Sequence, residues 1–414
     1  MIKSLTGWRK IWLFLAIMGP GIITAAADND AGGITTYSVA GAHFGYSLLW
    51  MLLITTLCLA VVQEICARMG AVTGKGLSDL IRENFGLKWT FFAMAILLVA
   101  NIFTLIANFA GIAAALEIFG IAKWIAVPVM AIVIWYTVLR GSYKLVERVF
   151  LVFCVVQFAY VISGLMAGPD WGLALRHTFI PSFQFEPHYL LVFIGVIGTT
   201  ITPWMQFYIQ SSIRDKGITV KQYKYERAEV LFGAFFTDFI SFFIMVACAA
   251  TLYKLRIPIE TAKDAAIALG PIAGDFAETL FAIGLFGAST LTASIVSLSS
   301  AYAICEAFGW ESGINKHFRE APVFYGLYTF LIFLAAAVVL FPKLPLIVVM
   351  LVSQEVNGIL LPFILIFMIS LVNNKRIMGQ YVNSHFYNIL AWFTVGSLIL
   401  LTIILLVVSL LPGA

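Results

Sequence analysis

The chain has 414 residues, of which 62% are hydrophobic and only 11% charged, and its mean hydropathy is +0.99. This composition excludes a soluble globular domain, and a net charge of +4 without a basic stripe does not suggest nucleic-acid binding. The five cysteines stand singly in apolar segments with no metal-ligand spacing, which predicts small buried core residues.

The first apolar segment, near residues 11–43, is interrupted by two carboxylates and a pair of glycines, in the run Ala27-Asp28-Asn29-Asp30-Ala31-Gly32-Gly33. A charged side chain near the centre of a bilayer costs about 2.5–3.5 kcal/mol on insertion scales, so it is usually functional. Backbone that leaves the helix at membrane depth is tolerated only where it lines a cavity. A broken helix with acids therefore predicts a cation site of the kind that transporters build.

Apolar stretches long enough to cross about 30 Å of hydrocarbon recur along the whole chain. The sixth is interrupted like the first, because Pro203 removes a backbone hydrogen bond inside it and disfavours helix at Thr202. The pattern predicts eleven spans. They lie near 11–43, 47–69, 89–118, 122–139, 147–167, 188–212, 228–253, 275–308, 322–341, 344–372 and 387–411.

Basic residues are distributed unequally between the predicted loops. With the N-terminus in the cytoplasm, nineteen Lys and Arg residues fall inside and six outside. Cytoplasmic loops carry the excess of positive charge, and an odd number of spans places the C-terminus on the opposite side. The sequence therefore predicts a multi-pass protein of the cell membrane with a cytoplasmic N-terminus and an extracytoplasmic C-terminus.

The two interrupted spans stand five helices apart, which is typical of inverted-repeat transporters. The predicted fold is an all-α membrane protein with eleven transmembrane helices in a five-plus-five inverted repeat, in which helices 1 and 6 are broken. We expect one transport domain over residues 1–414. Its first repeat spans about 11–167, its second about 188–372, and an extra helix about 387–411.

Several motifs follow one another along the chain. They are Gly19-Pro20-Gly21 followed by Asp30, Gly41 to Tyr46, Gln63 to Lys75, Ser353-Gln354, Leu361-Pro362-Phe363 and Lys375 to Gly379. In this order they resemble the NRAMP family of divalent-metal transporters over nearly the whole chain. That resemblance implies the fold of the amino-acid/sodium symporter class, with a metal ion at the midplane between the broken helices. The metal is the cargo, so no resident cofactor is implied.

The departures from the family pattern concern the ligands. The family reads Asp-Pro-Gly-Asn in the first helix, but here Gly33 stands in place of the Asn. The family reads Met-Pro-His in the sixth helix, but here Thr202 and Trp204 flank the proline, and a second family histidine is Ile209 or Gln210. The third span has no acid between residues 91 and 115, although proton-coupled members of the family carry acids there. In the tenth span, Leu360 stands where the family has a glutamine.

Without the sulfur and nitrogen ligands, only oxygen remains, which suits Mg²⁺, Ca²⁺ or Mn²⁺ better than Fe²⁺, Zn²⁺ or Cu²⁺. We expect Asp30 to be the main ligand and Asp28 to hold the waters of a partly hydrated ion. Thr202 supplies a hydroxyl and Gly33 a wider cavity, while the backbone carbonyl of Thr199 is a candidate by family position only. These losses resemble the prokaryotic NRAMP-related magnesium transporters.

Each of these residues also has a structural interpretation. Asp30 can simply cap the second half of the broken helix. Asp28 can form a salt bridge or occupy a solvated vestibule, and Thr202 can bond to the previous helical turn. Trp204 is expected to pack, and Glu355 to line a water-filled path, on a helix that also carries Gln354 and Asn357.

The preferred function is the transport of Mg²⁺, with Mn²⁺ as a second candidate, without proton coupling. The alternatives are a proton-coupled Mn²⁺/Fe²⁺ transporter of the same family, an Al³⁺ transporter and a sodium-coupled amino-acid symporter. A metal-sensing receptor is a further alternative, although it would be expected to carry a large soluble domain. Nothing forms a nucleophile–base pair, so an enzyme is not expected. The expected partners are the metal ion and the lipid bilayer, while the oligomeric state stays open, with a monomer plausible.

Overall fold

The computed structural model describes residues 20–140, 157–314 and 316–410, and most of these residues are helical, with no strand among them. The predicted segments 11–19 and 147–156 lie outside the described residues. The helices are α1 (Pro20–Asp28), α2 (Ala31–Phe44), α3 (Leu49–Thr73), α4 (Leu77–Ile118), α5 (Lys123–Arg140), α6 (Phe158–Met166), α7 (Trp171–Phe179), α8 (Pro187–Thr200), α9 (Pro203–Asp215), α10 (Tyr223–Cys248), α11 (Ala262–Ala266), α12 (Gly270–Ala273), α13 (Ala277–Phe308), α14 (Pro322–Val339), α15 (Leu346–Val372), α16 (Lys375–Met378) and α17 (His385–Leu410).

In the described part of the chain, nine helices are long and apolar enough to cross a membrane. They correspond to nine of the eleven predicted spans, and the remaining two, near 11–43 and 147–167, fall partly on residues that are not described. The all-α membrane fold is confirmed, whereas the count of eleven stays a prediction. The helix of the third predicted span, α4, begins at Leu77, before the predicted start near residue 89. It is bent at Gly86, which has a φ of 76°.

The first of the two predicted helix breaks separates α1 from α2 at Asn29 and Asp30. Asp30 has an extended backbone, with φ −78° and ψ −171°, and its side chain caps α2. An N-cap residue of this type begins a new helix because its oxygen satisfies an amide that has no partner within the helix.

The second break separates α8 from α9 at Ile201 and Thr202. Thr202 is extended, with φ −72° and ψ 143°, and Pro203 begins α9. Proline suits the first position of a helix, but it has no N–H for the carbonyl four residues earlier. Both breaks were therefore predicted at the correct positions from the local sequence.

The broken helices lie inside the bundle. In the 18-residue apolar stretch of Pro187–Asp215, 94% of the residues are buried, compared with 28% in the corresponding stretch of Lys123–Arg140. The helix α10 packs along α1, α2 and α3, while α4 packs along α13 and α15. On the outer surface, Trp124, Phe330 and Leu406 are more than half exposed, as expected for side chains that face lipid.

Glycines allow α8 and α15 to cross at very close range. A Cβ at Gly198 would overlap the carbonyl of Gln354, and a Cβ at Gly358 would lie 2.5 Å from the carbonyl oxygen of Ile194. Small residues at such crossings are typical of helix packing in membranes. The crossing brings the polar residues of α15 next to the second break.

Candidate functional site

Asp30 lies at the centre of the first break and is only 3% exposed. Its Oδ1 accepts a hydrogen bond from the backbone amide of Gly33 at 2.7 Å, and its Oδ2 accepts one from Nδ2 of Asn108 at 2.7 Å. Nε2 of Gln354 lies 3.5 Å from Oδ1. Asp30 is therefore a helix cap, as one interpretation predicted. A carboxylate has about four lone-pair positions, so these contacts leave capacity for a cation.

Neutral amides from two other helices surround Asp30. Asn108 on α4 also donates to the carbonyl of Thr104 at 2.8 Å. On α15, Asn357 donates to Oε1 of Gln354 at 3.0 Å and to the hydroxyl of Thr104 at 2.9 Å. Asn108 was not among the predicted site residues, so its contact with Asp30 was missed. A lone Asn in an apolar span was the available signal, because buried amides are usually bonded.

Three oxygen atoms converge on the Cα of Gly33. A Cβ built there would lie 2.9 Å from the carbonyl oxygen of Asp28, 3.0 Å from Oγ1 of Thr199 and 3.5 Å from Oδ1 of Asp30. We call this group the oxygen cradle. Its atoms come from α1, α8 and the cap of α2, so both breaks contribute. The missing side chain of Gly33 is what permits these oxygens to approach the backbone so closely.

Thr199 offers the cradle two oxygens. Its side chain is fully buried, and its Oγ1 has no hydrogen-bond partner within the described residues. The helical partner of its backbone carbonyl would be the amide of residue 203, which is a proline and has no N–H. The ends of α1 and α8 also carry partial negative charge from their backbone dipoles, which favours a cation between them.

Thr202 is buried at the start of α9, and its hydroxyl has no hydrogen-bond partner in the described part of the chain. The predicted alternative, a bond from this hydroxyl to the previous turn, is therefore wrong. The amide of Gln206, with its nitrogen turned towards the backbone, donates to the carbonyl of Thr202 at 2.7 Å. The free polar atom of Thr202 is consequently its side-chain oxygen.

The carboxylate of Asp28 is 2% exposed, and neither of its oxygens has a hydrogen-bond partner among the described residues. Within that part of the chain Asp28 forms no salt bridge, and its low exposure shows that the interpretation as a solvated vestibule position is wrong. Its side chain interacts electrostatically with Asp238 and, more weakly, with Asp30. The backbone carbonyl of Asp28, not its carboxylate, faces Gly33.

Asp238 on α10 is a buried carboxylate that the sequence analysis missed. It is 3% exposed, its Oδ2 accepts a hydrogen bond from the hydroxyl of Thr56 at 2.7 Å, and its Oδ1 has no described partner. It lies in the middle of the span Tyr223–Tyr253. The rule that singled out Asp28 and Asp30, an acid at membrane depth, would have found it.

The two remaining residues of interest lie at the edge of the site. Trp204 is 1% exposed and its ring centroid lies 6.0 Å from that of Tyr208, so it packs in the core as expected. Glu355 is partly buried, and its Cγ lies 3.7 Å from the position of a Cβ on Gly195. Glu355 thus lies beside α8 rather than in the oxygen cradle.

Over the described residues, no three His, Cys, Asp or Glu side chains are close enough to hold one metal ion. A cation at the cradle would therefore be bound by one carboxylate together with neutral hydroxyl and carbonyl oxygens. Such donors are the ligands of hard cations, and a small number of carboxylates leaves coordination positions for water.

Comparisons with known proteins agree with this architecture. The chain is 26% identical to the divalent metal cation transporter MntH of Caldanaerobacter subterraneus subsp. tengcongensis, over 96% of this chain and 94% of that protein. It is likewise 26% identical to MntH of Bacillus subtilis, over 98% of this chain and 94% of that protein.

Solved structures show the same fold. The manganese transporter of Eremococcus coleocola, in complex with an aromatic bis-isothiourea substituted compound, is 20% identical with a TM-score of 0.77, covering 98% of this chain and 88% of its own. MhsT in complex with L-phenylalanine is 14% identical with a TM-score of 0.58, covering 94% and 97%. The family described as natural resistance-associated macrophage protein-like matches residues 21–408. The chain therefore belongs to the Nramp family, whose members are membrane transporters and not enzymes.

Proposed function

We propose that this protein carries divalent metal ions into the cytoplasm by alternating access, with Mg²⁺ as the principal cargo and Mn²⁺ as a second one. The ion moves partly hydrated and without protons. The observation that carries the proposal is the oxygen cradle, where Asp30, Thr199 and the carbonyl of Asp28 meet beside Gly33. Thr202 supplies a further hydroxyl from the second break.

The ligand chemistry supports a hard cation. A thioether or imidazole favours transition metals, whereas Mg²⁺ is bound through one or two carboxylates and keeps several waters. The buried hydroxyls of Thr199 and Thr202 have no hydrogen-bond partner among the described residues, so both remain available as oxygen ligands of such an ion. The names of the relatives, MntH and a manganese transporter, make Mn²⁺ the rival cargo.

The surroundings of Asp30 support transport without protons. The side chains that contact it from α4 and α15 are Asn108 and Gln354, and neither of them titrates. A proton path needs a series of titratable groups that leads away from the ion, and among the described residues Asp28 and Asp238 are the acids beside Asp30 from which one would have to start. The membrane potential suffices as a driving force, because it contributes about 2.3 kcal/mol per charge and 100 mV, or about 4.6 kcal/mol for a divalent ion.

Uptake into liposomes with an internal magnesium-sensitive dye tests the cargo. We expect Mg²⁺ uptake that accelerates when the interior is made negative, with slower Mn²⁺ uptake followed in parallel by its own dye and Ca²⁺ as a third ion. Liposomes with Asp30→Ala provide the matched control for leakage. Uptake of Mn²⁺ with no uptake of Mg²⁺ would reject the proposed cargo.

The same liposomes with an internal pH dye test the coupling. We expect no acidification beyond that of the Asp30→Ala liposomes while Mg²⁺ enters under an outward potassium gradient. Acidification that depends on Mg²⁺ would establish proton symport and reject this part of the proposal.

An amino-acid symporter is the candidate from another class, since MhsT with bound L-phenylalanine shares the fold. The carboxylates of Asp28 and Asp30 argue against it, because they would repel the carboxylate of an amino acid. Sodium-driven uptake of labelled amino acids into the same liposomes would reverse this choice.

A further inference from the structure

A polar contact between α1 and α10 lies beside the oxygen cradle, with α2 and α3 packed against α10. Asn29 attaches α10 to the first break, because its Nδ2 donates to the carbonyl of Thr237 at 3.2 Å and its Oδ1 accepts from Ser241 at 2.9 Å. The hydroxyl of Thr237 donates to the carbonyl of Ala25 at 3.0 Å. These bonds hold the α10 segment that carries Asp238 against the end of α1.

Two buried carboxylates, those of Asp28 and Asp238, lie at this contact, and within the described residues neither is paired with a positive charge. Both oxygens of Asp28 and the Oδ1 of Asp238 lack hydrogen-bond partners within the described residues, and the two residues are 2% and 3% exposed. Their charges act on each other, and both act on the hydroxyl of Tyr37. Burying an unpaired carboxylate is costly, and burying two that repel each other is worse. A bound cation removes both penalties.

We propose that Asp28 and Asp238 form a second binding position for a divalent cation, next to the oxygen cradle. Three carboxylate oxygens that have no hydrogen-bond partner within the described residues match the donors of one hard divalent ion, which holds both carboxylates in the ionised form when it binds. The hydroxyl of Thr56 holds Asp238 through its Oδ2 and leaves Oδ1 for the ion. The inference rests on the proposed function, because it takes the cargo of the cradle as its ligand.

Two observations separate this position from the cradle. No three acidic or other metal-binding side chains of the described chain converge on one point, so Asp238 is not a third direct ligand of an ion held by Asp30. Asp28 also offers different atoms to the two places, because its backbone carbonyl lies at Gly33 whereas its carboxylate interacts electrostatically with that of Asp238. An ion that leaves one position therefore meets the other without losing contact with Asp28.

Counting bound ions tests the second position. The purified full chain is dialysed to equilibrium against radioactive Mn²⁺, and bound ions per chain are measured at saturation. We expect two for the unchanged protein and one for Asp238→Asn, which keeps the size of the side chain. The matched control is Glu226→Gln, a buried carboxylate twelve residues earlier on α10 and thus about 18 Å away along the helix. It should still bind two.

Other counts would overturn the proposal. One ion in the unchanged protein, two in Asp238→Asn, or none in a folded Asp238→Asn would each contradict two separate positions. If Asp238→Asn does not fold, Thr56→Val keeps both carboxylates and should bind the second ion about fivefold more weakly. An unchanged affinity in Thr56→Val would then reject the proposal.

A further variant separates this test from that of the function. Asp30→Ala should bind one ion and transport none. Normal transport by Asp30→Ala would refute the role of the cradle, whereas the count in Asp238→Asn would still decide the second position.

Discussion

At the scale of single residues, Asp30 combines two roles that one substitution can separate. Its Oδ1 caps α2 through the amide of Gly33, and its remaining lone pairs face the oxygen cradle. Asn caps a helix as well as Asp does, but it carries no charge. A substitution by Asn therefore preserves the cap and removes the charged ligand.

We expect Asp30→Asn to fold with a somewhat lower unfolding midpoint, because its amide nitrogen cannot accept the hydrogen bond from Asn108, and to lose uptake. The loss of one charged ligand is worth roughly 3 kcal/mol, or about a hundredfold in affinity. Metal uptake into liposomes and the thermal-unfolding midpoint measure the two roles independently. Uptake at the level of the unchanged protein would mean that Asp30 is a cap only.

Thr202 is the position where the hardness of the site can be changed. Its hydroxyl is buried without a partner, so Thr202→Met exchanges a free oxygen for a thioether. A soft ligand favours transition metals, and we expect the ratio of Mn²⁺ and Cd²⁺ uptake to Mg²⁺ uptake to rise several-fold.

Thr202→Val, which removes the oxygen without adding sulfur, is the control for Thr202→Met and should not gain Cd²⁺. The companion change Gly33→Asn is structurally harder, because a Cβ there lies 2.9 Å from the carbonyl of Asp28 and requires the backbone to shift. A folded Thr202→Met with unchanged selectivity would show that position 202 does not contact the ion.

At the scale of helices, an ion-pair cluster attaches the end of α9 to its neighbours. Arg214 lies 3.0 Å from Glu306 on α13 and 3.4 Å from Asp79 on α4. The side chain of Glu306 is only 1% exposed, whereas that of Arg214 is 23% exposed. The second half of the broken helix is therefore held at its far end by charge pairs.

Arg214→Gln should destabilise the protein, because it leaves the buried Glu306 without its cation. A fully buried pair would lose 3–5 kcal/mol, and the partial exposure of Arg214 reduces this to about 1–3 kcal/mol. The thermal-unfolding midpoint in detergent is the measurement. Lys221→Gln, at an exposed loop position, should leave it unchanged. Equal midpoints for the two variants would contradict the structural role of the cluster.

At the scale of the whole molecule, the orientation in the membrane stays a prediction from loop charges. It can be tested at two exposed positions, Gln184 between α7 and α8, and Lys375 at the start of α16. With an inside N-terminus, the first lies outside the cell and the second in the cytoplasm.

We expect Gln184→Cys to react with an impermeant thiol reagent in intact cells, and Lys375→Cys only after permeabilisation. Four native cysteines, Cys58, Cys66, Cys248 and Cys305, are buried and should give a low background. The reverse pattern of labelling would invert the topology and with it the proposed direction of transport.

Features that depend on neighbouring residues were predicted from the sequence, whereas contacts between distant residues were not. The breaks at Asp30 and at Pro203 were predicted correctly, because caps and prolines act within one helical turn. The contacts of Asp30 were not, since its partners Asn108 and Gln354 are 78 and 324 residues away in the chain. Asp238 was missed although an acid in the middle of a span was visible.

The sequence by itself determined the membrane class, the two breaks, the family resemblance and the hardness of the candidate ligands. Composition, helix-breaking residues and side-chain chemistry are local properties, and each can be read without knowing which helices are neighbours. Only the tertiary structure decided that the carbonyl of Asp28 and the hydroxyl of Thr199 meet beside Gly33, and that Asp28 and Asp238 are buried at one contact between helices. Such encounters depend on how distant helices pack, and in a bilayer that packing is directed by close approach at residues such as Gly198 and Gly358.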